Sequence, residues 1–117
     1  MKTRIAQALA QIPAAPTDQY PAGAPSVTTL QHGSMTLKVF RPSANPGGRD
    51  LQQPHAQDEL YLVHAGSAEI VIDGERMPAG AGDAFFVGAG QPHRFENFSQ
   101  DFVTWVVFYG PQEGETA

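Results

Sequence analysis

Four residues have the types and the spacing to form a metal site: Gln53, His55, Glu59 and His93. Gln53 and His55 are two positions apart, so their side chains point to the same side of an extended segment. Glu59 follows at the start of the next predicted strand, and His93 opens another strand after the turn sequence GAGQP. Imidazole, carboxylate and amide groups from these segments can therefore converge on one point.

This donor set fits two kinds of catalytic metal. Two histidines and one carboxylate form the facial triad that leaves open positions on Fe(II), and similar sets hold catalytic zinc. The chain contains no cysteine, so a bound metal must use nitrogen and oxygen donors.

Taken singly, each of these residues has an ordinary explanation. A histidine at a turn is more often a surface residue than a ligand, and Glu59 next to Asp58 reads as an acidic pair at a strand start. Glutamine is common in loops and is a weak ligand. The combined spacing is what favours a site.

The segments that carry these residues are predicted to be short strands. In a chain of 117 residues, 12 glycines and 10 prolines indicate many turns and few long helices. In Met35–Phe40 apolar and polar residues alternate, as in a half-buried strand. About eight strands at regular spacing predict an all-β barrel or jelly roll. The predicted strand segments are 27–31, 35–40, 58–66, 67–77 with a turn at Asp73-Gly74, 83–87, 93–98 and 102–109.

The N-terminal residues are predicted to lie outside the barrel. One face of a short amphipathic helix is formed by Ile5, Ala8, Leu9 and Ile12, and this helix should end by Pro13. Residues 13–25 contain four prolines and read as an extended arm over the surface. We therefore expect a helix and arm over residues 1–25, a barrel over 26–111 and a C-terminal tail over 112–117.

The last predicted strand is apolar on both faces, which implies that its outer face is covered. Phe102, Val106 and Phe108 lie on one face, and Val103, Trp105, Val107 and Tyr109 on the other. The N-terminal helix and arm, or a second subunit, would cover the outer face. We favour a homodimer.

Charge and hydropathy exclude some partners. Seven basic and twelve acidic residues give a net charge of −5, without a cluster of Lys and Arg. Such a chain is poorly suited to nucleic acid or to an anionic membrane surface. Gln7 and Gln11 interrupt the only stretch resembling a signal peptide, and no run approaches the length of a membrane span. We expect a soluble cytoplasmic protein without nucleic-acid or membrane partners.

The spacing of the candidate ligands resembles the two motifs of the cupin superfamily. The first motif is His-x-His, three or four residues, Glu, six residues, Gly, and it aligns with residues 53–66, where Gln53 replaces the first histidine. The second is Gly, five residues, Pro-x-Gly, two residues, His, three residues, Asn. It aligns with residues 82–97, where Gly88 replaces the proline.

The resemblance implies a cupin jelly-roll barrel with one divalent metal ion inside, either Fe, Mn, Ni or Zn, and frequent dimerisation. It implies Gln53, His55, Glu59 and His93 as the metal-site residues. Gln53 either binds the metal through its uncharged amide oxygen, with a lower affinity than a histidine, or hydrogen-bonds a metal-bound water or substrate. The family hosts many reactions, so the resemblance does not imply a single one.

Two functions of different classes follow. The first is a metal-dependent enzyme acting on a small organic molecule, either dioxygenase-like or a Lewis-acid isomerase. The second is a non-catalytic small-ligand-binding or sensory domain, and a metal-free structural barrel is a third possibility. Tyr61 and Phe95 share the phase of Glu59 and His93 and are candidates for the pocket wall. His64 should face outward, and Gln57 and Asp58 should lie in a solvated loop.

Overall fold

The structure is a computed structural model that describes residues 1–45 and 47–116. Over these residues it contains one α-helix, one turn of 3-10 helix at Pro42–Ala44 and eight strands. The helix is α1 (Ile5–Leu9). The strands are β1 (Ser26–His32), β2 (Met35–Phe40), β3 (Asp58–Ala65), β4 (Ser67–Ile72), β5 (Glu75–Gly80), β6 (Ala84–Val87), β7 (His93–Glu96) and β8 (Val103–Tyr109).

The strands form two antiparallel sheets of a jelly-roll barrel. One sheet has five strands in the order β1-β2-β8-β3-β6, and the other has three in the order β5-β4-β7. The all-β fold predicted from the turn spacing is confirmed. Because β3 and β7 belong to different sheets, side chains that point inward from these two strands face each other across the interior.

The main core lies between the two sheets. The central strands β3 and β4 contribute alternate residues to it, as the pleat requires. In β3 these residues are Glu59, Tyr61 and Val63, all buried. The cluster also contains Phe40, Ala68, Ile70, Ala79, Val87, Phe95, Phe102, Val106 and Phe108. The apolar face predicted for Phe102, Val106 and Phe108 is therefore the inner face of β8.

The N-terminal helix covers part of the outer face of the five-stranded sheet. Ala8 and Ile12 pack with Val39 and Val103 in a second buried cluster. Beyond this cluster Leu62 is 41% and Phe86 57% exposed. The N-terminal helix, one of the two covers expected for the outer face of this sheet, thus covers only part of that face. The helix has five residues, and no described helix is long and apolar enough to cross a bilayer.

Strand β2 turns its polar side toward the barrel interior. Val39 lies under the N-terminal helix, whereas the neighbouring Lys38 and Phe40 line a cavity inside the barrel. Side chains alternate across a strand, so this orientation follows once Val39 is placed outside. A lysine consequently lies on the inner wall.

Gly66 joins β3 to β4 where the chain passes close to another segment. It has a φ of +78°, and a Cβ atom added there would lie 2.6 Å from the backbone N of Phe102. Real Cβ atoms do not approach backbone that closely. The glycine of the first motif therefore serves the fold, by turning the chain directly after the strand that carries Glu59.

Candidate metal centre

The structure brings together His55, Glu59 and His93. Each of the three offers one ligand atom, and these atoms all lie within 4.8 Å of one another. Glu59 and His93 are buried, and His55 is half-buried. His55 comes from the segment before β3, Glu59 from β3 and His93 from the first position of β7. The two sheets therefore hold the carboxylate and one imidazole opposite each other.

Only one oxygen of the Glu59 carboxylate is engaged in a hydrogen bond. Oε1 accepts from the Tyr61 hydroxyl at 3.1 Å. Oε2 is buried and has no hydrogen-bond partner among the described residues. It lies 3.4 Å from Nε2 of His93. A buried carboxylate oxygen without a partner is costly, so this atom marks a place for a positive charge.

The turn before β7 orients the ring of His93. Nδ1 lies 2.9 Å from the backbone oxygen of Gln91. A carbonyl oxygen can only accept, so the Nδ1 proton makes this bond and Nε2 of the neutral ring presents a lone pair to the site. The Gln91 side chain in turn accepts a hydrogen bond from Gly88 N at 2.7 Å. A proline at position 88 could not donate that bond, which gives the departure from the family motif a structural role.

Burial and the neighbouring charges shift the pKa values of the site in different directions. Burial lowers the pKa of His55, which favours the neutral ring that a metal requires. Burial also acts to lower the pKa of His93, but the nearby Glu59 carboxylate and the Gln91 carbonyl outweigh it and raise that pKa. Burial, followed by the charge of Glu59, raises the pKa of Tyr61 well above its usual value. Tyr61 therefore stays protonated and acts as a donor.

The two glutamines of the preceding loop differ in position. Gln53 is exposed and lines the cavity, whereas Oε1 of Gln52 lies 3.2 Å from Nε2 of His93. The same oxygen accepts from the Tyr61 hydroxyl at 2.9 Å. Sequence reasoning missed Gln52, because the alternation assumed for an extended segment directs Gln53, not Gln52, to the side of His55.

Asp50 is a further residue that sequence reasoning missed. Its Oδ2 atom accepts from the Gln52 side-chain amide at 2.5 Å and from Phe95 N at 2.8 Å. Burial is the main cause of the raised pKa of Asp50, and these hydrogen bonds partly oppose it. The carboxylate fixes the Gln52 amide with its NH₂ toward Asp50 and its oxygen toward His93. No sequence signal marks Asp50, since it lies in a loop rich in turn formers.

Tyr61 and Phe95, the two predicted pocket residues, take different positions. Tyr61 lines the cavity. Phe95 is 1% exposed and packs edge-on behind Tyr61 with ring centroids 5.1 Å apart. Its ring supports the wall from the core side.

A cavity of about 590 Å³ is lined by one of the three candidate ligands, His55, and Glu59 and His93 lie buried behind its wall. Its inner wall includes Lys38, Phe40, His55, Tyr61, Val106 and Phe108, and the N-terminal arm closes one side with Thr17, Asp18, Gln19 and Tyr20. A cavity of this size accommodates a small organic molecule.

The N-terminal arm is tied to the loop that carries Gln52. Gln19 donates from its side-chain amide to the Leu51 carbonyl at 2.8 Å. Leu51 N donates to the Tyr20 hydroxyl at 3.1 Å. The arm, expected to lie on the surface, therefore forms one wall of the cavity and holds the neighbouring loop.

The expectation that Gln57 and Asp58 are solvated is wrong. Asp58 is 5% exposed and accepts from Ala89 N at 3.0 Å and Glu115 N at 2.9 Å. Gln57 is half-buried and donates to two backbone carbonyls. Both side chains satisfy backbone groups of adjacent loops, which a sequence pattern does not reveal. His64 is exposed, as predicted.

Comparison with known proteins agrees with this geometry. The family model described as "Cupin domain" matches residues 43–109. The chain belongs to the cupin family. A relative from Streptomyces coelicolor, "Uncharacterized protein SCO3923", is 41% identical over 83 residues, which make up 71% of this chain and 77% of that protein.

Solved structures share the barrel. DMSP lyase DddQ from Ruegeria pomeroyi DSS-3 superposes with a TM-score of 0.58 and 26% identity, covering 79% of this chain and 48% of the lyase. This cupin thus spans about half of the lyase's length. KdgF from Halomonas sp. superposes with a TM-score of 0.58 and 17% identity, covering 75% of this chain and 79% of KdgF.

Proposed function

We propose that this cupin binds one divalent metal ion through His55, Glu59 and His93. The observation that carries the proposal is a set of lone pairs facing one another. Nε2 of His93 lies 3.4 Å from Glu59 Oε2 and 3.2 Å from Gln52 Oε1, and the ring's proton is already engaged at Nδ1. When His93 is neutral, these three electron-pair donors repel one another unless a cation lies between them. Because the pKa of His93 is raised, a proton on Nε2 competes with the metal ion for this place.

The donor chemistry fits the proposed ion. Two imidazole nitrogens and one carboxylate oxygen suit Fe, Mn, Ni or Zn. Burial keeps His55 neutral, and the Gln91 carbonyl fixes the tautomer of His93. The fourth group is proposed to be a glutamine amide. Gln53 is the candidate from the motif, and Gln52 the candidate from its distance to His93.

We propose that the metal-loaded protein is an enzyme acting on a small organic molecule. When bound, the ion would supply Lewis-acid polarisation of a substrate oxygen, or redox chemistry if it is iron. The apolar wall formed by Phe40, Val106 and Phe108 would exclude water and orient the substrate. The Tyr61 hydroxyl would hold Glu59 in place. A fold shared with a protein named as a lyase supports the non-redox version.

A second candidate function is ligand binding without turnover. Tyr61 stays protonated because its pKa is raised, and Asp50 is engaged by hydrogen bonds. Apart from the proposed metal ligands, the side chains described around the site therefore offer no strong general base. This feature favours a binding or sensory cupin.

Elemental analysis tests the metal proposal directly. Protein purified without chelators and without a histidine tag should contain close to one equivalent of a transition metal. A metal-free protein that also fails to bind added Fe(II), Mn(II), Ni(II) or Zn(II) would refute it. Incubating the metal-loaded protein with a panel of small hydroxy and keto acids, with and without O₂, then separates turnover from binding.

We also propose a homodimer formed through the exposed part of the five-stranded sheet. Phe86, in the last strand of that sheet, and the adjacent Leu62 form an open apolar surface beside a strand edge. A second copy can present the same strand in antiparallel orientation, which makes the contact self-complementary. Light scattering should show a dimer that Phe86→Asp converts to a monomer. His64→Asp, which places a charge on the outer face of β3, serves as the control.

A further inference from the structure

Lys38 is a cation on the inner wall of the cavity. It lies in β2 and is half-buried, and its Nζ atom lies 5.6 Å from the centroid of the Phe108 ring. No carboxylate among the described residues lies within 4.0 Å of it. The half-buried ammonium group is therefore not engaged in an ion pair with a described carboxylate and lines the cavity.

The ammonium group lies close to the proposed metal centre. The His55 ring packs edge-on against the same Phe108 ring, with centroids 4.8 Å apart. Lys38 and His55 are thus joined through one aromatic side chain. A molecule of a few carbon atoms in the cavity can meet both groups.

The acidic residues nearby leave the charge of Lys38 available. Asp18 lines the cavity but is exposed, in the arm. Asp50 accepts hydrogen bonds from Gln52 and Phe95, and the buried Glu59 carboxylate lies against His93. Lys38 is therefore the cation available to a ligand in the cavity.

We propose that Lys38 binds a carboxylate of the substrate, so that this cupin acts on a small organic acid. The rest of the molecule lies along Phe40, Val106 and Phe108, and an oxygen at its other end faces His55, Glu59 and His93. The proposal rests on the proposed function for the position of the reacting end. The contact with Lys38 itself is independent of the metal.

The test compares glutarate with glutaramide, which has the same carbon skeleton without charge. Affinities are measured by NMR titration of the as-purified protein, and again after the metal is removed with a chelator. We expect tighter binding of glutarate in both states. Lys38→Met, which keeps an unbranched side chain one atom shorter and without charge, should weaken glutarate binding about tenfold and change glutaramide binding less than about twofold, the effect expected for one charge-assisted hydrogen bond. Lys38→Arg should restore most of the preference.

The opposite results are equally clear. The proposed carboxylate contact is wrong if Lys38→Met binds glutarate as tightly as the parent protein does. It is also wrong if Lys38→Met weakens the binding of both ligands equally, or if the parent protein prefers neither ligand. The metal content and thermal unfolding of Lys38→Met are measured on the same sample. Unchanged values show that the variant is folded and loaded. A parent protein that contains no metal as purified, takes up none of the added metal ions and still prefers glutarate would refute the metal proposal and leave the Lys38 contact intact.

Discussion

The side-chain oxygen of Gln52 and Nε2 of His93 face each other at 3.2 Å, and both present lone pairs when the His93 ring is neutral. Each is fixed from behind, Gln52 through its NH₂ group to Asp50 and His93 through Nδ1 to the Gln91 carbonyl. Neither group can rotate away without breaking a buried hydrogen bond. The cluster is therefore held in a geometry suited to a cation.

Substitution of the ligands should abolish metal binding. His93→Ala removes one of three donors, and Glu59→Gln removes the only negative charge among them, so we expect the metal content to fall from about one equivalent to near zero. Metal added at a hundred times the dissociation constant should stabilise the parent protein by about 2.7 kcal/mol and leave these variants unchanged. His64→Ala is the control, because His64 is exposed on the outer face of β3, the strand that carries Glu59. Differential scanning calorimetry with and without metal measures this stabilisation. If added metal stabilised His93→Ala as much as the parent protein, His93 would not be a metal ligand.

The two glutamines can be distinguished by matched alanine variants. Gln52→Ala removes the oxygen that approaches His93 and should weaken metal binding about 10–100-fold, as is typical of groups that orient or complete a metal site. Gln53→Ala removes an exposed side chain and should change the affinity less than about threefold. Competition with a chelating dye measures both constants. The reverse order would assign the role to Gln53, as the motif implies.

Glycine at position 66 should be required for stability. Gly66→Ala imposes a left-handed conformation on alanine, at about 1–2 kcal/mol, and forces its Cβ against the backbone of Phe102, at about 1–3 kcal/mol more. Gly33→Ala is the matched control, since Gly33 has a φ of +57° and open space around it. Urea unfolding should show a loss for Gly66→Ala at least about twice that for Gly33→Ala. Equal losses would mean that the chain near Phe102 relaxes freely.

Removal of the Tyr20 hydroxyl should loosen the loop before the metal centre. Tyr20→Phe leaves Leu51 N without its acceptor, at a cost of about 1–3 kcal/mol if water does not replace the hydroxyl. Hydrogen exchange at the Leu51 amide should accelerate, because this amide then lacks a partner. Tyr109→Phe, in β8, is a comparison in which exchange at Leu51 should not change. Unchanged exchange in Tyr20→Phe would show that the arm does not hold the loop.

The sequence predicts the barrel well because its turns depend on residue types that are local in the sequence. Gly66, Asp73-Gly74 and the GAGQP turn fix where strands end, and Glu59 falls in phase with the buried Tyr61. The residues that sequence reasoning missed depend on contacts between distant segments. Asp50 and Gln52 take their roles from Phe95 and His93, more than 40 positions away.

The orientation of β2 shows a second limit of pattern reading. Alternation in Met35–Phe40 predicts a half-buried strand but does not say which side is inside. The helix covers Val39 from outside, and this places Lys38 in the cavity. The polar residue Lys38 of this strand therefore faces the cavity and not bulk water.

The short stretch from Asp50 to Gln52 joins three parts of the molecule in consecutive residues. Asp50 holds the backbone of β7, Leu51 holds the arm, and Gln52 reaches His93. Changes to the arm, the barrel and the ion's surroundings will therefore show epistasis instead of adding up. Laboratory evolution of a new specificity in this protein should proceed through paired substitutions, one in residues 17–20 and one in residues 50–52. A single substitution in either segment should often disturb the other segment as well.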